Sequence, residues 1–111
     1  MSVKIVAGWI LSVVLAAVFL FAGEMKLTGN PEMVAIFAQV GVGDWFRYAT
    51  GALEIAGGVG VLIPRCSGWA AMLLGAIMAG AIVAHLVVLK TSPAIPATLL
   101  GAAVATAWLR G

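Results

Sequence analysis

The sequence predicts an all-α integral membrane protein: a single domain over residues 1–111 that forms a four-transmembrane-helix bundle, with a short interfacial helix between the first and second spans. Three observations predict it. Of the 111 residues, 64% are hydrophobic and only 9% charged, far from the composition of a soluble globular domain. Apolar segments recur at about residues 5–23, 44–63, 68–89 and 95–109, most of them close to the ~20 residues a helix needs to cross a ~30 Å hydrocarbon core. The glycines, prolines and charges that cannot lie in lipid gather between those segments.

The first span is apolar all round apart from Ser12 and meets no charged side chain before Glu24. Lys4 precedes it, and Trp9 lies near its start, where an amphipathic ring sits at the headgroup level. Its apolar run exceeds the roughly 7–15 residues of a signal-peptide core, so it reads as a span and not as a cleaved leader. The stretch FAGEMKLTGNPEM ends it, placing Glu24 and Lys26 at the membrane edge and breaking the backbone at Gly29-Asn30-Pro31. Asn30 then suits a helix N-cap, Pro31 the first turn, and Glu32 the positive end of the helix dipole. The helix that follows, about residues 31–40, is too short to cross a bilayer. It lies in or dips into the interface, either as a lid over the bundle mouth or as a float.

The second span opens on Asp44-Trp45-Phe46-Arg47-Tyr48, an aromatic and charged girdle. Ten residues past Asp44, at 1.5 Å per residue, Glu54 lies about 15 Å into the membrane. Arg47, Thr50 and Glu54 share one face, and the glycines at 51, 57, 58 and 60 let neighbouring backbones approach. Pro64-Arg65-Cys66-Ser67 is a polar turn. The third span carries Trp69 at its start, small-residue rows through Ala71, Gly75 and Ala79, and His85 near its end before Lys90. The fourth, with Ala97, Gly101 and Ala105 on one face, closes at Trp108 and Arg110.

Four crossings put both termini, the Arg65 turn and Trp9, Trp69 and Trp108 on one side. Glu24, Lys26, the interfacial helix, Asp44, Arg47 and Lys90 fall on the other. Lys and Arg divide equally between the sides. Discounting Lys26 and Arg47 as partners in internal pairs makes the first side cytoplasmic, which leaves the lone Cys66 in a reducing compartment.

An ionisable group at membrane depth is costly and faces a bundle interior or cavity, which makes Glu54, Arg47, His85, Glu24 and Lys26, with Thr50, the candidate ligand-binding residues. Helix direction gathers Glu24, Lys26, Arg47 and His85 into one layer with Glu54 beneath it. Glu54 is expected to share an enclosed space with Arg47 and His85. The competing expectation is a self-satisfied polar cluster that holds the helices in register, with Lys26 snorkelling to the interface and His85 bonded to a carbonyl or headgroup.

One cysteine excludes an internal disulfide, and a single histidine excludes a bis-His haem site within one chain. No metal or haem is expected. The six scattered Lys and Arg residues make no stripe for nucleic acid. No nucleophile, metal-ligand or phosphate-loop motif occurs, which favours a non-enzyme. Three functional readings follow: an accessory module that binds a small apolar ligand such as a quinone or lipid; a small proton-coupled transporter using Glu54; and a structural or assembly subunit. The small-residue faces suit a homodimer or a larger membrane complex.

The blocks FAGEMKLTG, the run from Phe37 through GVGDWFRYATGALEIAGGVGVLIPR, and AGAIVAHL stand in this order along most of the chain. In this the sequence resembles the DoxX and DoxX-like family of small four-helix bacterial membrane proteins. The resemblance implies a four-helix bundle in the bacterial plasma (inner) membrane. It also implies a role in membrane redox or stress physiology, the family being named after a subunit of an archaeal thiosulfate:quinone oxidoreductase. It carries no quinone chemistry over to individual residues of this chain.

Overall fold

Apolar sequence becomes helix here, because a helix satisfies its own backbone hydrogen bonds without water. The structure, a computed structural model, describes residues 2–110. It contains α1 (Val3–Leu27), α2 (Pro31–Val40), α3 (Asp44–Gly60), α4 (Ser67–Val83) and α5 (Ala94–Arg110), with a π-helical turn over Ala84–Leu89 continuing α4. No strand occurs among the described residues.

α1 runs past residue 23 to Leu27, because Glu24, Met25 and Lys26 are good helix formers and the first break is Gly29. Gly29 takes the left-handed conformation (φ 75°), and the Asn30 amide donates back to the Met25 carbonyl, the closing bond of a Schellman motif. Asn30 then caps α2, its side-chain oxygen accepting from the Glu32 and Met33 amides. α3 stops at Gly60, short of residue 63: the Leu62 and Ile63 amides tighten onto Val59 and Gly60 as the chain approaches Pro64.

The four long helices run alternately up and down. Gly23 of α1 meets Gly51 of α3, Gly57 and Gly60 of α3 meet Leu74 and Ala70 of α4, Gly75 of α4 meets Leu100 and Ala103 of α5, and Gly8 of α1 meets Arg110 of α5. α2 lies against α3 and the π-turn. At the centre sit Leu15, Phe19, Ala71, Leu74, Met78 and Ala103.

Around this apolar centre, α3 turns its small and charged residues inward and its large apolar residues outward. α3 buries Arg47, Gly51, Glu54, Gly57 and Gly58, and exposes Trp45, Leu53 and Val59. α1 likewise turns Ile10, Val13, Val14 and Phe21 outward. Small and polar residues inside, with large apolar residues outside, is the arrangement that lipid selects. α1 (25 residues) and the segment Ser67–Leu89 (23 residues) are long and apolar enough to cross a membrane. α3 and α5 have 17 residues each, or about 26 Å at 1.5 Å per residue.

Candidate ligand-binding cavity

The site begins with a close approach of two backbones. A Cβ built on Gly23 would stand 2.7 Å from the Gly51 carbonyl oxygen, and one on Gly51 3.0 Å from the Gly23 oxygen, so only glycine lets α1 and α3 cross this tightly. Lys26, three residues past Gly23, and Glu54, three residues past Gly51, reach across this crossing from opposite sides and bring Nζ to 2.7 Å from Oε1. The Glu54 side chain is 2% exposed and that of Lys26 13% exposed. The ammonium also lies 6.0 Å from the ring centroid of Phe37, so Lys26 points inward between α3 and α2.

Glu54 was expected to share its space with Arg47 and His85, but its partner is Lys26, another of the candidate residues, which does not snorkel to the interface. Arg47 is buried, but its Nη1 donates to the Lys26 backbone carbonyl and its guanidinium stacks 4.3 Å from the Tyr48 ring centroid. It therefore satisfies an orphan carbonyl at the C-terminus of α1, where the helix dipole favours a cation. Its Nε has no hydrogen-bond partner among the described residues. Glu24 is exposed on the outer side of α1 and off the cavity wall; only its backbone carbonyl is engaged, accepting from the Thr28 amide and hydroxyl.

Beyond the glycine contacts with Leu74 and Ala70, α3 and α4 diverge toward α2 and enclose a cavity of about 670 Å³. Its wall is mostly apolar: Ile36, Phe37 and Val40 from α2, Leu53 from α3, Ile77 and Ala81 from α4. The polar groups in the wall are Lys26, Glu54, Thr50 and His85. The Thr50 hydroxyl is bonded to the Phe46 carbonyl, 2.8 Å away. Leu53, Val83 and Val88 line the cavity and are also exposed, so it opens sideways between α3 and α4.

His85 stands in the π-turn, a local widening common at functional sites. Its Nδ1 is 2.7 Å from the Thr91 hydroxyl, and its carbonyl accepts from the amides of Lys90 and Thr91. Lys90 adopts φ 54°, the single positive φ among the described non-glycine residues. The cavity wall thus gathers Lys26, Glu54, Thr50 and His85, and leaves out Arg47 and Glu24.

Sequence reasoning missed a second polar junction, at the opposite end of the bundle. Arg110 Nη1 donates to Ser12 Oγ (2.7 Å) and to the Val61 carbonyl (3.1 Å), and its guanidinium lies 3.8 Å from the Trp9 ring centroid. The lone polar residue of the first span was the available signal.

An all-helical chain with two helices long and apolar enough to cross a membrane, and with Ser12, Arg47 and Glu54 buried between its helices, is of the helical membrane-protein class. It belongs to the DoxX-like family, whose profile matches residues 10–108. No curated protein and no solved structure matches the chain.

Proposed function

We propose that this DoxX-like protein crosses the bacterial inner membrane four times and binds one small apolar ligand, a quinone or a lipid, in the cavity between α3 and α4. It serves there as an accessory module of membrane redox or stress physiology. The observation that carries the reading is the cavity of about 670 Å³, whose mostly apolar wall is interrupted by one internally neutralised ion pair, Lys26–Glu54. Ligand sites are concave and largely apolar, with a few polar groups that fix orientation. The ammonium of Lys26 and the ring of His85 suit a carbonyl or hydroxyl head, and the balanced charge disfavours an ionised one. The sideways opening suits a ligand that arrives from the acyl-chain region.

Four crossings accord with the 46 Å long axis, close to the ~40–45 Å of a bilayer with its headgroups. The end that carries Lys4, Arg65 and Arg110 is then cytoplasmic.

Native mass spectrometry of protein purified in mild detergent tests the reading. A co-purifying or added ubiquinone or diacylglycerol should bind, and both Glu54→Gln and Gly80→Leu should weaken it. A Cβ on Gly80 meets open space, so the leucine fills the cavity without a clash at its root. Undiminished binding in both variants overturns the proposal. Proton-coupled transport is the second reading, favoured by the burial of Glu54 in a cavity wall. Proton release on adding substrate would distinguish it.

A further inference from the structure

All four acidic residues, Glu24, Glu32, Asp44 and Glu54, lie in the α2 half of the protein. The opposite end carries Lys4, Arg65 and Arg110, and no Asp or Glu side chain among the described residues offsets them. A second cavity, of about 300 Å³, opens there between the α3–α4 turn, the start of α4 and the end of α5. Arg65 and Arg110 line it together with Gly68, Trp69 and Met72.

Each of these residues has a definite use. Arg110 is held by Ser12, Val61 and Trp9, so its guanidinium is fixed before any ligand arrives, and its remaining N–H groups are available. Arg65 is exposed in the turn and free to close on a ligand. Gly68 is the second residue of α4, whose N-cap makes no side-chain bond, so its amide is among the first-turn donors without an intrahelical acceptor. Trp69 and Met72, three residues apart on the outer face of α4, are 75% and 58% exposed, an apolar track leading away from the two guanidiniums.

We propose that this cavity binds the phosphate headgroup of an anionic phospholipid, with its acyl chain laid along Trp69 and Met72. Paired guanidiniums suit a phosphate diester through charge-assisted, bidentate hydrogen bonds. The apolar track selects a lipid over a free anion. No Asp or Glu side chain among the described residues lies at this end to pair with the ammonium of a zwitterionic headgroup, so phosphatidylglycerol binds in preference to phosphatidylcholine. The site is independent of the cavity beside Glu54.

The test uses the full chain in a nonionic detergent, with bound lipid counted by native mass spectrometry. Phosphatidylglycerol should bind ahead of phosphatidylcholine of the same chains, and excess inorganic phosphate should not displace it. Arg65→Gln should lower its affinity about tenfold, as loss of one charge-assisted hydrogen bond implies. Ala107→Leu, which narrows the same cavity without altering charge, should give a comparable loss. Lys4→Gln is the control, since Lys4 lies at this end but outside the cavity, over Trp108. Equal binding of the two lipids, an equal loss in Lys4→Gln, or displacement by inorganic phosphate overturns the proposal.

Discussion

Lys26 and Glu54 meet at 2.7 Å across the crossing where Gly23 and Gly51 bring α1 and α3 into backbone contact. The contact and the ion pair are one construction, since the reach of a lysine fits only where the helix axes lie this close.

Adding a methyl group at the crossing therefore separates both. Gly23→Ala would place a Cβ 2.6 Å from Ile55 and 2.7 Å from the Gly51 carbonyl, and backbone cannot yield as a flexible side chain can. A loss of roughly 1–3 kcal/mol is expected from overpacking. Gly101→Ala, whose Cβ meets open space, should be neutral or stabilise by about 0.5–1 kcal/mol through helix propensity. Thermal unfolding followed by circular dichroism in detergent separates the two; equal melting temperatures would show that the crossing tolerates a Cβ.

The ion pair should respond unequally to removal of its two ends. Lys26→Met strands a buried carboxylate without its counter-ion, at a cost of about 3–5 kcal/mol. Glu54→Gln leaves a lysine on a long stem near the end of α1, which can swing outward, so the cost is smaller. The double variant should recover most of the loss, and a double-mutant cycle measures the recovery. Additive losses would mean that the two groups do not act as a pair.

Arg47 closes the C-terminal end of α1 through the Lys26 carbonyl. Arg47→Ala is expected to cost about 1.5–3 kcal/mol, the worth of a hydrogen bond from a charged donor. It should also speed amide hydrogen exchange in the last turn of α1 while leaving α5 unchanged. Uniform exchange changes over the whole chain would argue against a local capping role.

The His85–Thr91 contact ties the side chain near the start of the π-turn to a residue two positions past its end. Thr91→Val removes the hydroxyl while keeping the shape. Exchange of the amides over residues 85–91 should rise, with helix content and melting temperature nearly unchanged. Protection equal to the parent would show that the π-turn is held by packing alone.

Gly29, Asn30 and Pro31 were readable in sequence as a chain break, and the structure turns there through a left-handed glycine and an asparagine cap. These are local devices, so a local reading finds them. Glu54 was readable as a buried carboxylate for a similar reason: its depth follows from counting residues along one helix. Its partner was not readable. Lys26 on α1 and Arg47 on α3 are both one basic side chain near the same membrane edge, and nothing in either segment says which of them turns inward. Glu24 illustrates the same limit, since two residues along α1 rotate it to the outside.

The sequence by itself determined the helical character of the chain, its membrane class and its family, because backbone satisfaction in lipid is solved within each segment and leaves its mark as apolar runs bounded by breaks. Only the tertiary structure decided that Lys26 is the counter-ion of Glu54, that Arg47 caps a neighbouring helix, and that a cavity opens where α3 and α4 part. Those outcomes depend on crossing points and helix rotations between segments distant along the chain, and a single missing Cβ on each of two glycines settles the closest of them.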